Sequence, residues 1–133
     1  MLVAALAAGA AACESTPETT PSAPGIPVTQ TFTGTLQPSG DAFYAFSMSR
    51  PGIVSLTLLS MTGTSVPDDA LFPVGIGTPV GTFCNAGTDA AIKPSGSPQH
   101  SASKELGVYC VKIADTGRLG AAATFVLNIT HPK

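Results

Sequence analysis

The sequence has no tryptophan, only 11% charged positions, and no Lys or Arg before Arg50. The bases that follow are scattered as far as Lys133 and never cluster. A nucleic-acid binder neutralises phosphates with a basic stripe, so that partner class is excluded. Cys-x-x-Cys and His-x-x-His pairs are missing too, as is a Gly-x-Ser-x-Gly elbow. The first lack speaks against a zinc site, the second against a serine nucleophile held on a strained turn. No apolar run approaches the ~20 residues that a membrane-spanning helix needs. What the chain does have is 14 Gly and 12 Pro, lying between runs rich in Val, Leu, Ile, Phe and Thr. Short strands joined by turns produce that texture, and 133 residues suffice for one core.

Charge divides the chain in two. Of eight acids, Glu14 and Glu18 precede residue 28, which leaves six acids against six bases in residues 28–133. The part that folds is close to neutral, and the acidic excess belongs to the N-terminal region.

That region reads as an export signal and a tether. Residues 2–12 are apolar, too short for a membrane anchor and long enough for the h-region of a signal peptide, and they end in Ala10-Ala11-Ala12-Cys13. This resembles the lipobox of bacterial lipoproteins, in which the cysteine thiol receives a diacylglycerol before cleavage. The resemblance implies lipidation at Cys13, with residues 1–12 removed. It departs from the family at Ala10, where Leu is usual, and in having no base ahead of the apolar stretch. A positive n-region orients a signal at the membrane, so its true start is expected upstream of Met1. The alternative is an Ala-rich helix packed on the domain with Cys13 buried. Residues 13–27 are rich in Pro, Ser and Thr and are expected to be a disordered spacer. A triacylated Cys13 would hold the protein at the cell envelope without any spanning helix. By the same resemblance, Glu14 after the cysteine is compatible with the outer membrane.

From residue 28 to 133 the pattern has period two, as a sheet with one wet face requires. Val28–Leu36 offers Val28, Phe32 and Leu36 to a core and Thr29, Thr31, Thr33 and Thr35 to the other side. Ala42–Ser49 offers Tyr44, Phe46 and Met48, and Ile53–Met61 offers Val54, Leu56 and Leu58. Leu71–Thr78 follows with Phe72, Val74 and Ile76, Gly107–Ala114 with Tyr109, Val111 and Ile113, and Thr124–Thr130 with Phe125, Leu127 and Ile129. Gln37-Pro-Ser-Gly40 and Arg50-Pro51-Gly52 punctuate the runs. The apolar faces must cover one another, so the expected fold is all-β: a two-sheet antiparallel sandwich of about six to eight strands.

The runs Phe32-Thr-Gly-Thr-Leu36, Asp41-Ala-Phe-Tyr-Ala-Phe46, Pro51-Gly-Ile-Val-Ser-Leu-Thr-Leu58, Leu106-Gly-Val-Tyr-Cys-Val-Lys-Ile113 and Phe125-Val-Leu-Asn-Ile129 together resemble the bacterial pre-peptidase C-terminal domain. The resemblance covers residues 28–130 and rests on strand patterns rather than on a chemical signature. It implies a jelly-roll-like sandwich, an accessory module of secreted hydrolases that binds matrix or serves as a folding appendage. Some relatives hold calcium through clustered acids. Here only Asp68 and Asp69 are adjacent, far short of the ligands calcium takes.

Cys84 and Cys110 are 26 positions apart. Metal ligation is one reading, but in an exported domain without paired spacing a structural disulfide is preferred. Closing that loop is worth about 3 kcal/mol in the chain-entropy model. Parity places Cys110 with Lys112 on the face opposite Tyr109 and Val111, so the bridge is expected on an outer face or sheet edge. His100 falls in a Pro/Ser/Gly segment and His131 near the end, neither with an evident orienting partner. No catalytic residue, cofactor or metal follows from the sequence. The expected function is a non-catalytic lipoprotein module facing a polysaccharide, matrix or envelope-protein partner. The alternatives are a carbohydrate- or matrix-binding module and an accessory domain of a secreted hydrolase. For a sugar, Phe43 and Phe83 are the aromatics that parity and loop position leave free.

Overall fold

The computed structural model describes residues 26–132. The signal-like stretch, Cys13 and nearly all of the spacer lie outside them. Nine strands follow in order: β1 Pro27–Leu36, β2 Asp41–Met48, β3 Gly52–Thr62, β4 Phe72–Val80, β5 Phe83–Asn85, β6 Ala90–Ile92, β7 His100–Lys104, β8 Gly107–Ala114 and β9 Ala123–Pro132. Six of them are the alternating segments of the sequence, with ends displaced by two residues at most. The other three, β5 to β7, take the total to nine, past the six to eight expected. With three residues each, β5 and β6 are too short to display a period. In β7, His-Ser-Ala-Ser-Lys has one aliphatic side chain and reads as loop. Pairing against β3, from Gly52↔Lys104 to Leu56↔His100, makes it a strand.

One sheet runs β1-β9-β3-β7 and the other β2-β8-β4-β5, with β6 also on β4, and every pairing is antiparallel. Chain neighbours mostly change sheet: β1 hands over to β2, β2 to β3, β3 to β4, β6 to β7, β7 to β8 and β8 to β9. Strands adjacent in a sheet therefore come from distant parts of the sequence, the jelly-roll winding.

The inner faces match the alternation. Leu36, Phe46, Met48, Val54, Leu56, Leu58, Phe72, Val74, Ile76, Val111, Ile113, Phe125, Leu127 and Ile129 are all buried. Val28, Phe32, Tyr44 and Tyr109 are only half-buried, because they stand at the open edges and ends of the sandwich. Phe32 and Tyr44 stack there with centroids 4.5 Å apart, and the Tyr44 hydroxyl donates to the Thr33 carbonyl at 3.2 Å. In β3 the register slips between Leu58 and Ser60. This bulge inserts one residue, so Met61 turns into the core while Leu59 is left exposed.

Cys84 and Cys110 are joined. Their bridge lies on the outer face of the five-stranded sheet, as parity requires, yet both residues are buried. The cover is the chain leading out of β5. On β4, Gly75 and Gly77 pair with Lys112 and Cys110 and share their outward face. A Cβ on either would strike the backbone of Gly87 or Asn85. Two missing side chains thus let the segment lie flat on the sheet.

One buried charge ties the distal turns together. Asp115 Oδ2 accepts the Ser39 N–H at 2.8 Å and Oδ1 the Arg118 N–H at 2.9 Å, while the Leu119 N–H reaches both oxygens at 3.3 Å. Burial taken alone raises the carboxyl pKa, but bonds from the Ser39, Arg118, Leu119 and Gly117 backbone outweigh it and hold it below the ordinary 3.8. A carboxyl depressed by folding stabilises fully above the unfolded value and loses that contribution as pH falls through the folded one. Asp115→Ala therefore lowers unfolding free energy at neutral pH by about 1–3 kcal/mol, since it orphans these N–H groups. In urea titrations the gap from wild type narrows as pH drops below about 4. A gap independent of pH would contradict the clamp.

Candidate functional site

Alternation in β2 sends Asp41 and Phe43 to the outer face of the five-stranded sheet. Register sets Lys112 of β8 beside Phe43, and the Lys112 ammonium lies 3.8 Å from Asp41 Oδ2. The third contributor is the β4–β5 hairpin, which turns at Gly81-Thr82 with Val80 paired to Phe83. Gly81 has φ +58, a left-handed value natural to glycine at such a turn. The disulfide ties β5 to β8, and the hairpin tip comes to rest near β2. Asp41, Phe43, Thr82, Phe83, Cys84 and Lys112 line one cleft of about 310 Å³.

Phe43 and Phe83, forty positions apart in the chain, thus face the same cleft, Phe43 half-buried and Phe83 56% exposed. Asp41, Thr82 and Lys112 were not anticipated as lining. Two-residue spacing puts Asp41 on the face of Phe43, but nothing in one sequence states that β8 lies beside β2. Chemically, the cleft offers flat apolar surface flanked by an ammonium, a carboxylate and a hydroxyl. Rings suit the C–H faces of a sugar, and the charged pair suits its hydroxyls.

The two histidines and Asp69 lie outside this cleft. His100 begins β7 rather than lying in a loop, and its Nε2 stands 3.6 Å from Asp89 Oδ2, whose carboxylate accepts the Ile76 N–H at 2.9 Å. His131 is buried near the end of β9, with Nε2 3.1 Å from Gln30 Oε1 and its ring stacked on Phe46 at 5.1 Å. Both histidines have neighbours that the sequence did not reveal. Asp69 pairs with Arg118 at 2.8 Å. Among the described residues no group of three or more His, Cys, Asp or Glu could hold a metal ion.

No protein-family model and no curated protein matches the chain. Among solved structures, the Yersinia pseudotuberculosis-derived mitogen (YPM) is similar, with TM-score 0.51 and 18% identity over 80% of this chain and 87% of that one. The likeness is one of fold. It says that a comparable sandwich exists in another protein and assigns no activity to this one.

Proposed function

We propose that this chain is a non-catalytic module presented at a bacterial cell envelope by a lipid on Cys13. Two features support the reading. The apolar stretch ending in Ala-Ala-Ala-Cys13 precedes a Pro/Thr/Ser segment, and the domain behind it carries a buried disulfide, a bond that persists in oxidising compartments. With Cys84 and Cys110 paired to each other, Cys13 is the odd cysteine, and lipidation accounts for it. The resemblance to pre-peptidase C-terminal domains fits the same role of an exported accessory module.

A second reading, carbohydrate or matrix binding, is favoured by one observation: Phe43 and Phe83 line a single cleft with the Lys112–Asp41 pair. Affinity electrophoresis through gels containing bacterial or matrix polysaccharides tests it. Retardation by at least one polymer is expected, weakened about fivefold or more by Phe83→Ala, as for an aromatic anchor worth more than about 1 kcal/mol. Phe43→Ala should act in the same direction. Unretarded migration in every polymer, or retardation unchanged in both variants, would remove the glycan reading and leave the tethered module.

A further inference from the structure

We infer that the end of the sandwich from which the N-terminal segment emerges is a membrane-docking surface that rests on the bilayer holding the lipid anchor. The inference deepens the tether reading and rests on it. Strand register assembles this end. Pro27 pairs with Pro132, Gly52 with Lys104 and Met48 with Gly107, so the start of β1, the β2–β3 turn, the β7–β8 turn and the end of β9 lie together. Among the described residues, five large hydrophobic side chains are more than half exposed: Ile26, Ile53, Phe83, Leu106 and Val108. Phe83 belongs to the cleft, and the other four are at this end.

Side chains this apolar, gathered at one end of a small domain, mark a surface that meets something less polar than water. Ile26 is 80% exposed and Leu106 64%. Behind Ile53 an apolar groove of about 380 Å³ is walled by Pro27, Pro51 and Pro132. The turn that presents Leu106 is braced from below. The Tyr109 hydroxyl donates to the Glu105 carbonyl at 2.7 Å, and the Lys104 ammonium lies 5.9 Å above the Tyr109 ring. Leu106 is thus held outward by a fixed turn.

Two observations select a bilayer as the occupant. First, the described chain begins here, at Ile26, and only 13 positions separate it from Cys13. Thirteen residues span at most about 45 Å, so an anchored domain stays close to the lipid at a high effective concentration, where weak docking suffices. Second, Arg50 and Lys104 flank the apolar patch, with Glu105 the one acid among them. Asp41, Asp68, Asp69 and Asp115 lie in or beside the turns of the opposite end, where β1, β3 and β8 finish and β2, β4 and β9 begin. Lys93, Lys112 and Arg118 stand at that opposite end too, Lys112 paired with Asp41 and Arg118 with Asp69, whereas the anchor end keeps two bases to one acid, a small positive excess of the kind that anionic headgroups attract.

The absence of tryptophan from the chain gives a direct test. Exported protein carrying single substitutions Leu106→Trp, Ile53→Trp, Leu71→Trp or Leu59→Trp is reconstituted into phosphatidylglycerol vesicles, with and without brominated acyl chains. All four positions are exposed in the structure, and thermal melts confirm that each variant folds. Leu106→Trp and Ile53→Trp should shift to bluer emission and be quenched by the brominated lipid; Leu71→Trp and Leu59→Trp, towards the opposite end, should show neither. Raising the salt should weaken the quenching, as should replacement of phosphatidylglycerol by phosphatidylcholine. Equal quenching at all four positions, none at any, or a concentration-dependent dimer that shields Leu106→Trp without lipid would each overturn the docking surface. Palmitate labelling of the same samples keeps the two readings apart. Labelled protein without quenching sinks the docking alone, and quenched protein without label sinks the anchor while the docking stands.

Discussion

Leu127→Ala lowers the free energy of unfolding by about 2–5 kcal/mol, and Asn128→Ala, the next residue along β9, changes it by less than about 1 kcal/mol. The contrast follows from the pleat. Leu127 is fully buried in the inner face, paired with Phe32 on β1 and Leu58 on β3. Asn128 points outward, where its Oδ1 accepts the Thr31 hydroxyl at 2.7 Å in an exposed bond. Leu56→Ala should behave as Leu127→Ala does and Thr33→Ala as Asn128→Ala, because Leu56 is equally buried and Thr33 exposed. Urea denaturation of the four variants decides it. A register wrong by a single residue would exchange the two sets, and equal losses in both would undo the sandwich.

Loss of the disulfide should cost a comparable amount. Cys110→Ser or Cys84→Ser opens a loop of 26 positions and should remove about 2–5 kcal/mol of stability, with a lower Tm. Since each variant breaks the same bond, the double variant should be little worse than either single one. The cleft should respond as well. Freed from β8, the hairpin carrying Thr82 and Phe83 has lost its pin, so any polysaccharide retardation should weaken in Cys84→Ser without a change at Phe83 itself. Two titratable thiols in the denatured exported protein, or melting unaffected by reductant, would contradict this.

What the sequence discloses depends on the range of the physics behind it. Parity is local. A large apolar side chain at every second position of β3, β4, β8 and β9 must find an inner face, and those strands could be read before their neighbours were known. Short strands carry too few residues for parity to speak, hence β5 and β6 stayed hidden. The polar β7 was hidden for another reason: an edge strand beside β3 needs backbone pairing more than apolar side chains. The bulge after Leu58 likewise leaves no mark in composition, and it decides that Met61 faces the core.

The cleft was legible in halves. Phe43 and Phe83 stood out because neither belongs to an inward set. That they meet depends on the Cys84–Cys110 bridge and on Gly75 and Gly77, which allow the chain after β5 to press against the sheet. Asp115 shows the same limit. The Ser39 N–H that completes its bonding comes from 76 positions away.

The proposed role at the envelope turns on one covalent bond, a thioether at Cys13. Expression from the native locus in a bacterium with labelled palmitate, followed by detergent phase separation, tests it most directly. The account predicts labelled wild-type protein in the detergent phase and unlabelled Cys13→Ala, with Cys84→Ser still labelled. Label retained by Cys13→Ala, or an unlabelled wild type in the aqueous phase, would contradict it.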